Sequence, residues 1–307
     1  MTLTSLNPKI AIIGANSMVG SRFCALWPHP ENLIKADLNG SPSVDITNAE
    51  SVSKFFQDND FFTAILFSAF TDVDAAEAQK GDKDGICWQI NVRGVGHIVQ
   101  MCKKHNRGLI FISTDFVFDG QNGPYGEEDP VGVNMDLVSW YGQSKIAGEK
   151  IITDELKDFV ILRISYPYRA FFKDKDDFFK KILNLYKENK LYPMFDDQMM
   201  TPTFIDDVAP ALQTILKSGQ KGIFHLASPT QTTPYLITRK LIESVGGDPD
   251  AAQKGSIEQF LKGAGQTPRP VKGGLKVAKI ESLGFVPTTW EEGIEKINVQ
   301  TKGEQIT

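Results

Sequence analysis

KIAIIGANSMVGSRF, residues 9–23, decides how the rest of the chain is read. Four apolar residues run into Gly14, a second glycine follows at Gly20, and a helical pattern begins near Met18. That order is strand, tight turn, helix, the setting of a dinucleotide-binding turn. Such a turn uses one glycine for the sharp bend, a second for close approach of a pyrophosphate and a third for packing of helix on sheet. Here the middle place falls on Ser17. Its Cβ crowds the phosphate path, while its hydroxyl is placed to donate to a phosphate oxygen beside the helix N-terminus. The alternative is an ordinary tight turn of an α/β protein. Asp37, 23 residues beyond Gly14, ends the next apolar segment, ENLIKADL. A carboxylate there accepts from an adenosine ribose and repels a 2′-phosphate, which favours NADH over NADPH. Lys35 and Arg22 are the cations that offset this repulsion, and a solvated turn is the plainer reading of Asp37. Asp45, in SVDITNAES, either contacts the adenine or caps a helix.

The pattern repeats downstream. FTAILFSAF, residues 62–70, is an apolar strand. WQINVRGVGHIVQMCKKH reads as one helix with Ile90, Gly94, Ile98 and Met101 near one face. LIFIST (109–114), a helix from about Ser139 and DFVILRIS (158–165) complete the series. Apolar strands alternating with long helices indicate an α/β fold, a Rossmann-type doubly wound parallel sheet covered on both faces. After Tyr166 the chain becomes aromatic and charged. The expected division is a nucleotide-binding core over residues 1–165, with part of 195–225 returning to it, and a smaller C-terminal substrate lobe from 166–194 and 226–307.

Tyr141 and Lys145 in SWYGQSKIAGEK are four residues apart on a helix, so they share a face. An ammonium beside the phenol lowers its pKa toward a useful range and can also hold a nicotinamide ribose. Thr114 ends the preceding strand, where ligands gather in parallel sheets. Its hydroxyl orients a carbonyl oxygen to which Tyr141 gives a proton as hydride arrives.

The bulk numbers exclude other classes. The 33 basic and 38 acidic residues give a net charge of -5 without a long basic run, which argues against nucleic acid as a partner. The first ten residues lack a signal-peptide pattern, and no apolar run reaches membrane-spanning length. The three cysteines have no metal-like spacing and suit a reducing compartment. The four histidines are scattered, with no metal motif among them. A cytoplasmic enzyme is expected, with a homodimer open to it.

GANSMVG, SAFTDVDAAE, INVRGVGHI, STDFVFDG, YGQSKIAGEK, LRISYPY, TPTFIDDVAPA, GIFHLAS and PRPVKGGLKVAKIESLGF follow one another over roughly residues 9–295. In this the chain resembles the extended short-chain dehydrogenase/reductase superfamily, nearest its dTDP-4-dehydrorhamnose reductase branch. The resemblance implies catalytic Thr114, Tyr141 and Lys145. It implies cofactor contacts from Gly14, Asn16, Ser17, Met18, Val19 and Asp37, with Ser68, Ala69 and Phe70 lining the cofactor and Asn91 on the helix behind it. The implied activity is NADH- or NADPH-dependent reduction of a 4-keto group on a nucleotide-linked 6-deoxy sugar. Three departures stand out: Ser17 for the usual glycine, a longer PVGVNMDLVSWYG segment, and Tyr166 where relatives carry a substrate-facing Trp. The superfamily also holds nucleotide-sugar epimerases and dehydratases, and a regulatory subunit of methionine adenosyltransferase that keeps the fold without turnover. A dehydratase needs a further acid beside the threonine, yet Asp115 is followed by Phe116. Asp115 is then either a substrate-side proton relay or a stabiliser of the strand end.

In the second lobe, Asp176 is expected to cap a helix whose core stripe is Phe178, Ile182 and Leu185. Asp206 or Asp207 is expected to cap the next one. Arg269 lies in the Gly/Pro-rich GAGQTPRPVKGG, where its fork matches a diphosphate; a solvated loop charge is the alternative.

Overall fold

The computed structural model describes residues 8–304. In chain order the elements are β1 Ile10–Ile13, α1 Met18–Leu26, β2 Leu33–Ala36, α2 Ala49–Asp58, β3 Thr63–Leu66, α3 Val73–Glu77 and α4 Ile86–Trp88. A π-helical segment Gln89–Gly94 leads into α5 Val95–His105, then β4 Gly108–Thr114, α6 Trp140–Glu155 and β5 Phe159–Ile164. The remainder is α7 Phe178–Lys187, β6 Met194–Phe195, α8 Val208–Ser218, β7 Gly222–Leu226, α9 Pro234–Ser244, β8 Lys254–Gly255, α10 Ile257–Leu261, α11 Ala278–Glu281 and α12 Trp290–Glu304.

Six strands form one parallel sheet in the order β2-β1-β3-β4-β5-β7. Their near-continuous apolar sequences follow from burial on both faces. One face packs Phe23 of α1, Leu212 and Ile215 of α8 and Ile280 of α11 against Ile12, Ile65 and Leu162. The other packs Phe55 of α2, Ile98 of α5 and Ile152 of α6 against Ile13, Leu66 and Ile161. The Rossmann-type doubly wound sheet expected from the sequence is present. Strand order reverses at β1, so the crevice for a ligand opens beyond the C-terminal ends of β1 and β3.

A separate cluster gathers Tyr168, Phe179, Ile182, Met200, Ile237, Leu241, Trp290 and Ile294 from α7, α9, α12 and the strands between. Part of the C-terminal stretch leaves it. Leu275, Val277 and Ile280 pack into the sheet's own core.

Several local expectations are corrected. β3 ends at Leu66, not at residue 70, because the backbone of Phe70 turns away to bond Asn91. The helix expected over 88–105 is present without a gap, but it winds as a π-helix over Gln89–Gly94. In α7 the buried stripe is Phe179 and Ile182, with Phe178 only partly buried, and the cap is Asp177, which accepts from Lys180 N at 2.9 Å, not Asp176. Neither Asp206 nor Asp207 caps α8 with its side chain. Asp206 accepts two 2.6 Å bonds from Arg22, and Asp207 accepts from Thr288 N and Oγ1.

Candidate active site

The turn after β1 is built as its glycines require. Gly14 sits at φ +88°, and a Cβ there would lie 2.5 Å from Ser68 N. Gly14 and Ala15 donate their amides to Ala36 O of β2, and Phe67 and Ser68 donate theirs to Ile13 O. These bonds join the ends of β1, β2 and β3 into one rim. Ser17 does not offer its hydroxyl outward as the sequence suggested. Its Oγ donates to Gly14 O at 2.7 Å and accepts from Gly20 N at 3.1 Å, so it caps α1 and locks the turn. Asn16 is exposed, and Met18 and Val19 lie half-buried at the N-terminus of α1. Asp37 follows β2 on the same rim, accepting from Asn16 N and Leu38 N at 2.8 Å each. Arg22 is committed to Asp206 and Lys35 is exposed on β2. Asp45 caps no helix: its Oδ1 accepts from Thr47 N and Oγ1, and Asn48 caps α2. Ser68, Ala69 and Phe70 lie half-buried just past β3.

Thr114, Tyr141 and Lys145 come together at the C-terminal end of β4. The Thr114 hydroxyl is near enough to the Tyr141 phenol to favour its ionised form. It also accepts from Phe116 N at 3.2 Å and reaches Asp115 Oδ1 at 3.3 Å. Ser139 caps α6, placing Tyr141 in its first turn and Lys145 one turn further on. Gly142 has no side chain because a Cβ there would run into Phe116 O, so glycine is what lets α6 press against the strand end. Lys145 is fully buried. Its Nζ donates to Ile112 O at 2.8 Å and lies 3.8 Å over the Phe111 ring.

The electrostatics depart from the sequence reading. The Tyr141 phenol is pushed up, not brought down, because burial outweighs the Thr114 hydrogen bond and the Asp115 charge adds to the rise. Lys145 is itself lowered to about 7 by burial, partly restored by Glu149 and Cys87. Burial also raises the Asp115 carboxyl to about 6, against hydrogen bonds from Ser165 and Thr114. Ser165 Oγ donates to Asp115 Oδ2 at 2.7 Å.

Gln198 was not legible in the sequence, nor were the partners of Asn91. Asn91, in the π segment, accepts from Phe70 N at 2.9 Å and donates to Phe70 O and to Ser144 Oγ. Ser144 Oγ in turn donates to Tyr141 O at 2.7 Å, so one amide ties the loop after β3 to the helix of Tyr141. Buried Gln198 donates from Nε2 to both Tyr166 OH and Pro270 O at 3.1 Å. Tyr166, at φ +40°, packs its ring 5.9 Å from Phe116, which lies 5.9 Å from Tyr141. Burial pushes its phenol up to about 12. Arg269 follows directly on this chain of contacts, next to Pro270, and is bonded to Asp74 of α3 at 2.7 and 2.9 Å.

Known proteins share the fold over almost the whole chain. The chain is 30% identical over 254 residues to a probable low-salt glycan biosynthesis reductase of Haloferax volcanii, covering 82% of this chain and 81% of that one. It is 29% identical over 291 residues to the dTDP-4-dehydrorhamnose reductase of Mycolicibacterium smegmatis, covering 94% and 84%. Among solved structures, a dTDP-4-dehydrorhamnose reductase from Bacillus anthracis in complex with NADP superposes with TM-score 0.84 at 24% identity, covering 96% of this chain and all of that one. One from Clostridium acetobutylicum gives TM-score 0.82 at 25% identity, covering 96% and 99%. The family profile described as RmlD substrate binding domain matches residues 8–302, and a match over almost the whole chain makes this protein a member of that family.

Proposed function

We propose that the protein is an NAD(P)H-dependent reductase of the 4-keto group of a dTDP-linked 6-deoxyhexose. The observation that carries this is Thr114 at the C-terminal end of β4 beside Tyr141 in the first turn of α6, with Lys145 one helical turn behind and bonded to Ile112 O. The chain's own residues fit the dinucleotide. Gly14 leaves the turn free of a side chain, and the first-turn amides of Met18 and Val19 are those that would hold a pyrophosphate at a helix N-terminus. Bound there, the cofactor supplies hydride. Thr114 and Tyr141 orient the carbonyl oxygen, and the Tyr141 phenol gives its proton to that oxygen as negative charge develops on it. Its raised pKa keeps it loaded as an acid at neutral pH. Lys145 presents its Nζ on the same helix face, fixed by the Ile112 carbonyl.

Asp37 remains the residue that reads the adenosine ribose in this proposal, and NADH is the preferred donor. Arg22, one of the cations expected to offset its repulsion of a 2′-phosphate, is already bonded to Asp206. Arg269 and Tyr166 take the substrate's diphosphate and sugar ends. The three cysteines are buried and free, which suits an enzyme of the cytoplasm. The test is oxidation of NADH and NADPH with 4-keto-6-deoxy sugars carrying dTDP, GDP, UDP or CDP. Turnover of the dTDP sugar with a lower KM for NADH supports the proposal. Turnover confined to an uncharged ketone, or none with any of the four, overturns the substrate; a clear preference for NADPH overturns the role of Asp37.

A further inference from the structure

The ion pair between Arg269 and Asp74 joins residues 195 positions apart. It joins α3, which packs beside Tyr141, to the loop that carries Pro270. Asp74 sits on α3, whose neighbours Val73 and Ala76 pack with Phe116, Trp140 and Tyr141. Arg269 comes from the loop that Gln198 ties to Tyr166 through Pro270 O. The Tyr166 ring lies 5.9 Å from Phe116, which lies 5.9 Å from Tyr141, so the Arg269 loop is joined to the residues packed around Tyr141. Nearby, Lys175 donates to Thr71 at 3.1 Å, a second contact between the segment after Tyr166 and the loop after β3. One guanidinium nitrogen holds both carboxylate oxygens of Asp74, whose side chain is 66% exposed while that of Arg269 is 24% exposed.

We propose that Asp74 is the internal counter-ion that a nucleoside diphosphate displaces from Arg269, so that the pair is a latch across the mouth of the site and the substrate's anion opens it. This rests on Arg269 as the diphosphate contact. An exposed carboxylate–guanidinium pair holds its partners together only weakly, by a few-fold at most. A diphosphate brings more negative charge and more acceptor oxygens to the same fork, so it wins the competition. The displaced carboxylate swings into the solvent it already faces. The latch keeps the arginine oriented and its charge matched when the site is empty, at the expense of some affinity for the substrate.

The experiment is calorimetric titration of the full chain with dTDP. Asp74→Asn keeps the size of the side chain and removes its charge; it is expected to tighten dTDP binding roughly two- to five-fold. Arg269→Ala is expected to weaken it about tenfold or more, and the double variant to bind like Arg269→Ala alone. Unchanged or weaker binding by Asp74→Asn overturns the latch while leaving the clamp intact. An equal gain from Asp74→Asn in the Arg269→Ala background also overturns it, because the effect then does not pass through the arginine. Wild-type affinity in Arg269→Ala overturns the clamp and the latch together.

Discussion

At the scale of single residues, burial sets the chemistry more than neighbouring charge does. Tyr141 bears the proton because desolvation makes its anion expensive, and only charge developing on the bound oxygen makes the transfer favourable. Tyr141→Phe should therefore retain cofactor affinity and lose on the order of 10²-fold in kcat; normal turnover would remove the phenol from the mechanism. Asp115 gives a prediction in stability. Its folded carboxyl titrates near 6 against 3.8 for an ordinary aspartate, so the folded chain binds the extra proton between those values. Stability from this group is present at low pH and is lost as pH rises from about 4 through 6, amounting to about 3 kcal/mol at most. Asp115→Asn should then raise the midpoint of urea unfolding at pH 8, with the gain vanishing below pH 4, while turnover falls. A gain that is the same at both pH values would show that ionisation is not its source. Thr114, Tyr141 and Lys145 were legible because their spacing on a strand end and a helix face is local. The direction of the Tyr141 shift was not, since burial is a property of everything packed around the ring.

At the scale of elements, the π segment Gln89–Gly94 is what carries Asn91 to both Phe70 and Ser144. Periodicity predicted one regular α-helix there, because apolar spacing cannot show that an amide must bridge a loop and another helix. Asn91→Ala strands the Phe70 N–H and O and frees Ser144. It should destabilise the fold by about 2–3 kcal/mol in urea melts and weaken NADH binding through the displaced loop. Full stability with full cofactor affinity would mean that the loop is held by other contacts. The turn 14–20 was legible in outline, since glycines at a strand-to-helix junction restrict what the chain can do. The role of Ser17 was not. A hydroxyl that faces a phosphate and one that caps its own helix look alike in sequence.

At the scale of the whole molecule, two adjacent aspartates hold the pieces together. Asp206 receives Arg22 of α1 and Gln300 of α12, and Asp207 receives Thr288. Asp206→Ala removes the bonds that Arg22 and Gln300 make to this carboxylate and should lower stability by about 1–3 kcal/mol, with the loss appearing in a single cooperative urea transition. A transition split in two would show that the lobe unfolds apart from the sheet. Both aspartates read as helix caps in the sequence, a role their neighbours make natural and their tertiary partners override. Alternating apolar strands and amphipathic helices, a glycine turn at the first junction and a Tyr-Lys pair one turn apart are short-range patterns, and from them the sequence by itself determined the parallel sheet and the placing of Tyr141 and Lys145 on one helix beside the end of β4. The pairings of Asp74 with Arg269, Asn91 with Phe70, Gln198 with Tyr166 and Asp206 with Arg22 join residues from 21 to 195 positions apart. Only the tertiary structure decided those, because a polar side chain buried or bridged in a fold takes whichever partner the packing brings within hydrogen-bond reach, and nothing local records which one that is.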